Sequence, residues 1–333
     1  MNSRLSGLDG LRGLAALAVF GHHLDMGLLG GSRGSAFLAV DFFFMLSGYV
    51  MARTYEDRWS RASSAFDFLA LRLKRLWPTM TVGALIAAVL MWVNRSSGDP
   101  LIIMLNILFI PYFPGVWAFP LNSSAWSIFF ELIANVVHVL VLHRLGTRSL
   151  MFVALMAGVF FVAFGQPFGL DVGARTQNFL IGVPRVLLSY TIGIILWRLW
   201  RDVPTINVSQ TFAFLVMPTF FIVAAMLYVS PWEANFLFII LACPMMIAGG
   251  LCFSETSRMA GLARIGGAIS FPLYAVHVPV MGVVTYLNGG FGALLVAPLV
   301  VAGLFPSVRK AVREASVGPG NIGGIRSLGN LLR

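Results

Sequence analysis

The sequence predicts an all-α, polytopic integral membrane protein with about ten transmembrane helices and one re-entrant segment. Of its 333 residues, 58% are hydrophobic and only 11% charged, with a mean hydropathy of +0.86, well outside the composition of soluble domains. Apolar runs recur at about the 20-residue length that a hydrocarbon core demands. The connecting segments are too short to fold separately. One membrane domain over 1–306 is therefore expected, followed by a Gly-rich, basic cytoplasmic tail over 307–333.

Taken in order, the first run, 8–28, is apolar apart from Arg12, His22, His23 and its acidic ends. The second, 36–52, places Asp41 before three phenylalanines; 76–93 is free of charge. The stretch 101–121 is apolar, but Pro111, Pro114 and Pro120 break any continuous helix. It is expected to re-enter or lie at the interface, where protein shields its backbone. The run 125–142 opens on Trp126, Ser127 and Glu131, and 150–165 is uncharged. Arg185 lies within 179–197; 211–229 is again uncharged, and 234–252 holds Cys243 and Cys252 on opposite helix sides, which disfavours a disulfide or metal site. His277 is central to 269–287, and 290–306 completes the set.

The net charge of +10 raises a nucleic-acid partner, but the cations do not cluster on a face with interleaved aromatics. They fall between apolar runs instead. With a cytoplasmic N-terminus and ten crossings, 18 of the 23 Lys and Arg residues lie on the cytoplasmic side and Arg33, Arg95 and Arg175 outside. Routing 101–121 across the bilayer would move 11 of the 18 to the wrong face. Both termini are expected in the cytoplasm, with membrane lipid the surface that the cations meet. The first run carries ionisable groups and lacks a small-residue cleavage site, so it is expected to be a retained helix.

Ionisable residues inside a bilayer mark functional sites by default. Eleven residues separate Arg12 from His23, about three turns, which places a cation and a base on one helical stripe about 16 Å apart. A pairing of Asp9 with Arg12 explains the arginine alone; two ionisable groups on one buried stripe favour chemistry. Histidine suits a general base and can also carry an acyl group transiently. His22 points about 100° away and reads as a packing neighbour. Arg72 and Arg75, three apart, present guanidinium forks suited to phosphates. Asp41 needs a counter-charge at its depth, with Arg12 the first candidate. Arg185 can serve Glu131 or Asp41. Ser47 and Gly48 lack a nucleophile-elbow pattern and read as small residues at a helix crossing. His277 alone reads as an interhelical hydrogen-bonding residue. No cluster of residues has metal-binding spacing.

Together these motifs resemble the membrane-bound acyltransferase 3 family, whose members O-acylate glycans. Arg12 and His23 within LDGLRGLAALAVFGHH match its opening motif. VDFFFMLSGYVMAR, with Asp41, Ser47 and Gly48, is similar to the second signature; Arg72-Leu-Lys-Arg75 resembles the R-x-x-R motif. Trp126, Ser127 and Glu131 match W-S-x-x-x-E, and SFPLYAVH, with Tyr274 and His277, resembles the late Ser…Leu-Tyr…His element. The sequence departs from the pattern at Ala39, where the family usually has Gly, and after Phe305, where its acidic-Pro ending is missing.

The resemblance implies an O-acyltransferase of the bacterial cytoplasmic (inner) membrane that modifies an envelope or exported polysaccharide. The expected donor is acyl-CoA, most plausibly acetyl-CoA, with no permanently bound cofactor. Arg72 and Arg75 would hold its phosphates. His23 would take the acceptor hydroxyl's proton, Arg12 would stabilise developing negative charge, and Glu131 would orient the histidine or bind the carbohydrate acceptor. Asp41, Ser47, Trp126, Ser127, Tyr274 and His277 would support them. With no esterase-like domain in the sequence, transfer is expected to finish within the membrane domain. A proton-coupled transporter or flippase of a lipid-linked sugar is the competing reading, weakened by the absence of visible inverted repeats.

Overall fold

The computed structural model describes residues 5–29, 35–59, 65–94, 99–227, 229–253 and 259–316. Among these the chain is helical without strands; one isolated antiparallel bridge joins Trp117 to Arg175. The α-helices are α1 (Ser6–Leu29), α2 (Ala39–Trp59), α3 (Ala65–Val93), α4 (Pro100–Ile107), α5 (Ala125–Leu140), α6 (Thr147–Gly165) and α7 (Gly182–Trp200). They continue as α8 (Gln210–Met226), α9 (Pro231–Leu237), α10 (Cys243–Leu251), α11 (Ala260–Tyr286), α12 (Phe291–Gly303) and α13 (Pro306–Ser316). A π-helical turn, Phe238–Ala242, joins α9 to α10.

All ten expected runs contain helix, but six stretches are long and apolar enough to cross a membrane: Ala36–Glu56, Leu69–Val93, Thr147–Phe168, Thr176–Trp200, Trp232–Leu251 and Ala260–Tyr286. With seven at most if α12 and α13 count as one bent span, the expectation of about ten spans is not confirmed, for physical reasons. α5 and α8 have 16 and 17 residues, short of the roughly 20 that cover the hydrocarbon core. α1 dilutes its apolar run with Asp9, Arg12 and Asp25. α12 has 13 residues and bends by 81° into α13. Stretch 101–121 begins as α4, capped by Asp99 accepting from the Leu101 amide, and then leaves helical conformation. Asn106 pins the return of the chain by accepting from the Leu121 amide at 3.3 Å. The expected tail begins with α13; residues beyond 316 lie outside the described set.

Two packed groups position the site. α1 lies along α11, where Gly13 meets the Gly266 backbone so closely that a Cβ would overlap it. α2 lies along α7 by the same device. A Cβ on Gly48 would overlap the Tyr190 carbonyl, and one on Gly193 the Met45 carbonyl. Small residues allow backbones to approach where lipid supplies no hydrophobic drive. Gly48 thus serves the crossing that its sequence context suggests. α5 packs against both α2 and α7.

Candidate active site

Helices α2, α5 and α7 run parallel, joined by polar contacts at three levels. At their N-terminal ends Arg185 and Asp41 are fully buried and joined at 2.8 Å, with Nε 3.2 Å from both carboxylate oxygens. The remaining guanidinium hydrogens donate to the Val172 and Phe37 carbonyls, and Ser189 donates to Asp41. The guanidinium also lies over the Phe37 and Trp126 rings. Gly173, at φ 112°, lets the following loop press against Trp126, where a Cβ would strike the ring. Asp41 is therefore paired with Arg185, not Arg12: the two residues share a level on adjacent helices, a relation that spacing within one helix does not reveal.

At the middle level Ser47 donates to Glu131 at 2.7 Å, and Arg72 reaches Glu131 and Ser47 at 3.4 Å. At the C-terminal ends Arg198 binds Glu56 at 2.7 Å, and His138 bridges Glu56 and Tyr190. Arg198 also donates to the Leu145 carbonyl, satisfying chain beyond the end of α5.

The middle level opens into a cavity of about 450 Å³ lined by Arg12, Ser47, Arg72, Arg75 and Glu131 among others. A second, narrower cavity of about 50 Å³ shares Arg12, Phe43, Arg72, Arg75 and Glu131 with it and continues to Ser127, Ser270 and Tyr274. Three guanidiniums thus surround one carboxylate, leaving a local excess of positive charge suited to an anion. Glu131 stands in this chamber with Ser47 and Arg72; the expectation that it orients the histidine is not met by these partners. Five residues past Trp126 on α5, Glu131 faces Ser47 on α2.

Deeper along α11, Tyr274 shares a 2.5 Å hydrogen bond with Ser127, and its ring centroid lies 5.8 Å from that of His277. Asn122 donates to the Ala275 carbonyl and Ser124 to that of Tyr274, so the segment preceding α5 braces this turn of α11. His277 Nδ1 faces the Leu273 and Tyr274 carbonyls at 3.0 and 2.9 Å. Carbonyls only accept, so Nδ1 carries the proton and Nε2 offers a lone pair. His23 Nδ1 lies 3.3 Å from that lone pair and 3.0 Å from the Val19 carbonyl. In the neutral pair this network assigns the His23 proton to Nδ1 and leaves Nε2 as the basic nitrogen. His22 meets His23 edge-to-face, with centroids 5.4 Å apart, and lines a separate groove against α8.

The structure therefore brings Arg12, Arg72, Arg75, Glu131 and Ser47 to one chamber, links it through Ser127 and Tyr274 toward His277 and His23, and sets Asp41 and Trp126 against Arg185. Sequence reading missed the braces Asn122 and Ser124, whose signal was a polar run before a helix start. It also missed the Glu56–His138–Arg198 network: Glu56 and Arg198 lie just past the ends of runs 36–52 and 179–197, and His138 lies inside 125–142 in no recognised motif. Among the described residues no group of three or more His, Cys, Asp or Glu side chains forms a metal site.

Residues 5–308 match a family model described as an acyltransferase domain, of the acyltransferase 3 type. The chain is 32% identical over 164 residues to protein 2 of the picA locus from Rhizobium radiobacter, covering 43% of this chain and 83% of that protein. It is 26% identical over 321 residues to the O-acetyltransferase OatA of Staphylococcus aureus strain NCTC 8325, covering 83% of this chain and 50% of the relative. Over 70 residues it is 37% identical to the peptidoglycan O-acetyltransferase OatA of Listeria monocytogenes, covering 21% of this chain and 10% of that protein. This chain thus spans about half of the staphylococcal relative. No solved structure matches it. With the match running through α1 to α13 and taking in both the arginine chamber and the histidine pair, the chain belongs to the acyltransferase 3 family of membrane acyltransferases.

Proposed function

We propose that the protein transfers an acetyl group from acetyl-CoA to a hydroxyl of a cell-envelope or exported carbohydrate in the bacterial inner membrane. The observation that carries this reading is the placement of two unlike sites on one helix. α1 holds Arg12 in a chamber of excess positive charge and His23, with a free basic nitrogen, three turns away. The excess of Lys and Arg in the segments between apolar runs, Arg72 and Arg75 among them, supports a cytoplasmic side for the chamber. The names of the staphylococcal and listerial relatives, both O-acetyltransferases, support the acyl group and the oxygen acceptor.

In this reading Arg72 and Arg75 hold the donor's phosphates and its pantetheine arm extends toward Tyr274. His23 Nε2 takes the proton from the acceptor hydroxyl as its oxygen attacks the thioester carbonyl carbon. Arg12, lining both cavities beside Arg72 and Arg75 and three turns from His23, adds positive charge at the donor's phosphates. Collapse breaks the carbon–sulfur bond, and the leaving thiolate recovers the proton from His23. Glu131 holds Arg72 in place and limits the chamber's net charge.

The test is protein reconstituted in lipid with labelled acetyl-CoA and candidate glycans. The His23→Ala variant should lose label transfer by about 10²–10⁴-fold. Full transfer by that variant, or acceptor movement across the membrane without donor consumption, would overturn the reading.

A further inference from the structure

The two cavities at the arginine chamber differ in size: about 450 Å³ for one and about 50 Å³ for the other, although they share Arg12, Phe43, Arg72, Arg75 and Glu131. The narrow one alone reaches Phe44, Leu76, Phe271, Ser127, Ser270 and Tyr274. It is the part of the chamber next to the turn of α11 that leads to the histidine pair. A water-sized sphere takes roughly 10–15 Å³ of such space, so the narrow cavity accepts roughly three to five non-hydrogen atoms. An acetyl group brings three and a hexanoyl group seven.

The walls are poorly placed to yield. Phe44 is buried and meets Trp126 edge-to-face at 6.1 Å. Tyr274 is tethered by Ser127 and reaches the Ser124 carbonyl at 3.3 Å. Phe43 closes the side toward Tyr274, with ring centroids 5.9 Å apart. Close-packed aromatic surroundings resist expansion, because extra methylenes force their side chains off their rotamers. The cavity is also polar in part, with Ser127, Ser270 and Tyr274 among its lining residues.

We propose that this narrow cavity is the acyl-group subsite and that Phe43, with Phe44, Leu76, Phe271 and Tyr274, limits the donor to two to four acyl carbons. The inference rests on the reading of the larger cavity as the donor chamber. Phe43 is its specificity-determining residue, since its ring stands at the boundary that both cavities share.

The experiment uses the full-length protein in lipid nanodiscs with non-cleavable ketone analogues of acetyl-, butyryl- and hexanoyl-CoA, read by calorimetry, alongside transfer from the matching thioesters. The acetyl analogue should bind at least tenfold more tightly than the hexanoyl analogue. In Phe43→Ala that ratio should fall to within threefold, and in Phe43→Trp the butyryl analogue should be lost before the acetyl one. Because Phe43→Ala can perturb α2, Leu76→Ala on α3 provides an independent widening and should relax the same ratio. Equal binding of all lengths by the native protein, or ratios untouched in the widened variants, would overturn the subsite while leaving the donor chamber standing. Absence of binding by every analogue would overturn both. Selective binding of the acetyl analogue without transfer from any thioester would support the subsite and refute the proposed reaction.

Discussion

Replacing Arg185 by methionine isolates the energetic role of the buried pair at the N-terminal ends of α2 and α7. Both side chains are fully buried, and the guanidinium makes contacts with Asp41, Val172 and Phe37. Methionine restores the stem's packing but leaves the Asp41 carboxylate with Ser189 as its only remaining hydrogen-bond partner of those described here. Breaking a buried pair from one side costs about 3–5 kcal/mol. Removing both charges in Arg185→Met/Asp41→Leu should recover most of that loss, because two apolar side chains need no compensation. The assay is reversible unfolding of the purified protein in mixed detergent–lipid micelles, with the two single variants and the double variant forming a cycle. A coupling of about 2 kcal/mol or more is expected. A loss below about 1 kcal/mol for Arg185→Met would refute the argument that the pair is buried and mutually dependent.

Three further outcomes follow from the geometry. Gly48→Ala places a methyl against the Tyr190 carbonyl and should cost about 1–3 kcal/mol in the same unfolding assay, whereas Gly21→Ala, whose Cβ meets nothing within 4 Å, should shift stability by no more than about 0.5 kcal/mol. Arg72→Lys keeps the charge but loses the planar fork, so the KM for the donor should rise about tenfold; an unchanged KM would separate Arg72 from donor binding. His277→Ala removes one of the two acceptors that His23 Nδ1 faces, leaving the Val19 carbonyl, and should lower kcat by about tenfold with little change in donor KM. His277→Gln, which keeps an acceptor oxygen, should recover part of that loss, and equal defects in the two variants would reduce His277 to a packing role.

What was legible in the sequence follows the reach of each rule. Helical periodicity placed Arg12 and His23 on one stripe, and the structure keeps them on α1 with unlike neighbours at the two levels. The proline count in 101–121 anticipated a chain that leaves helix after Ile107. No such rule reaches between helices. Asp41 and Arg185 are 144 residues apart, and only the Gly48 and Gly193 contacts bring their helices to a register in which the charges meet. Glu131 looked like a partner for histidine or for the acceptor from the family resemblance of its W-S-x-x-x-E motif. The sequence did not show which neighbour α5 would turn the carboxylate toward. The count of about ten spans is not confirmed for a related reason: length and apolarity describe a helix alone, whereas α5, α8 and α12 are short helices supported by packing.

The shared backbone of α1 has a mechanical consequence. Proline is absent between Arg12 and His23, and one continuous helix separates them by about 16 Å, roughly half the 30 Å thickness of a hydrocarbon core. Tilting α1 carries both groups together, so it cannot act as a swinging arm between a loading station and a delivery station. Whatever covers that distance must belong to the substrate. For the proposed donor, the uncharged pantetheine arm, with the acyl group still bonded to its sulfur, can cover it at little electrostatic cost while the phosphates stay with the guanidiniums. The helix would then be a fixed spacer along which a neutral thioester arm advances and its charged phosphates stay behind.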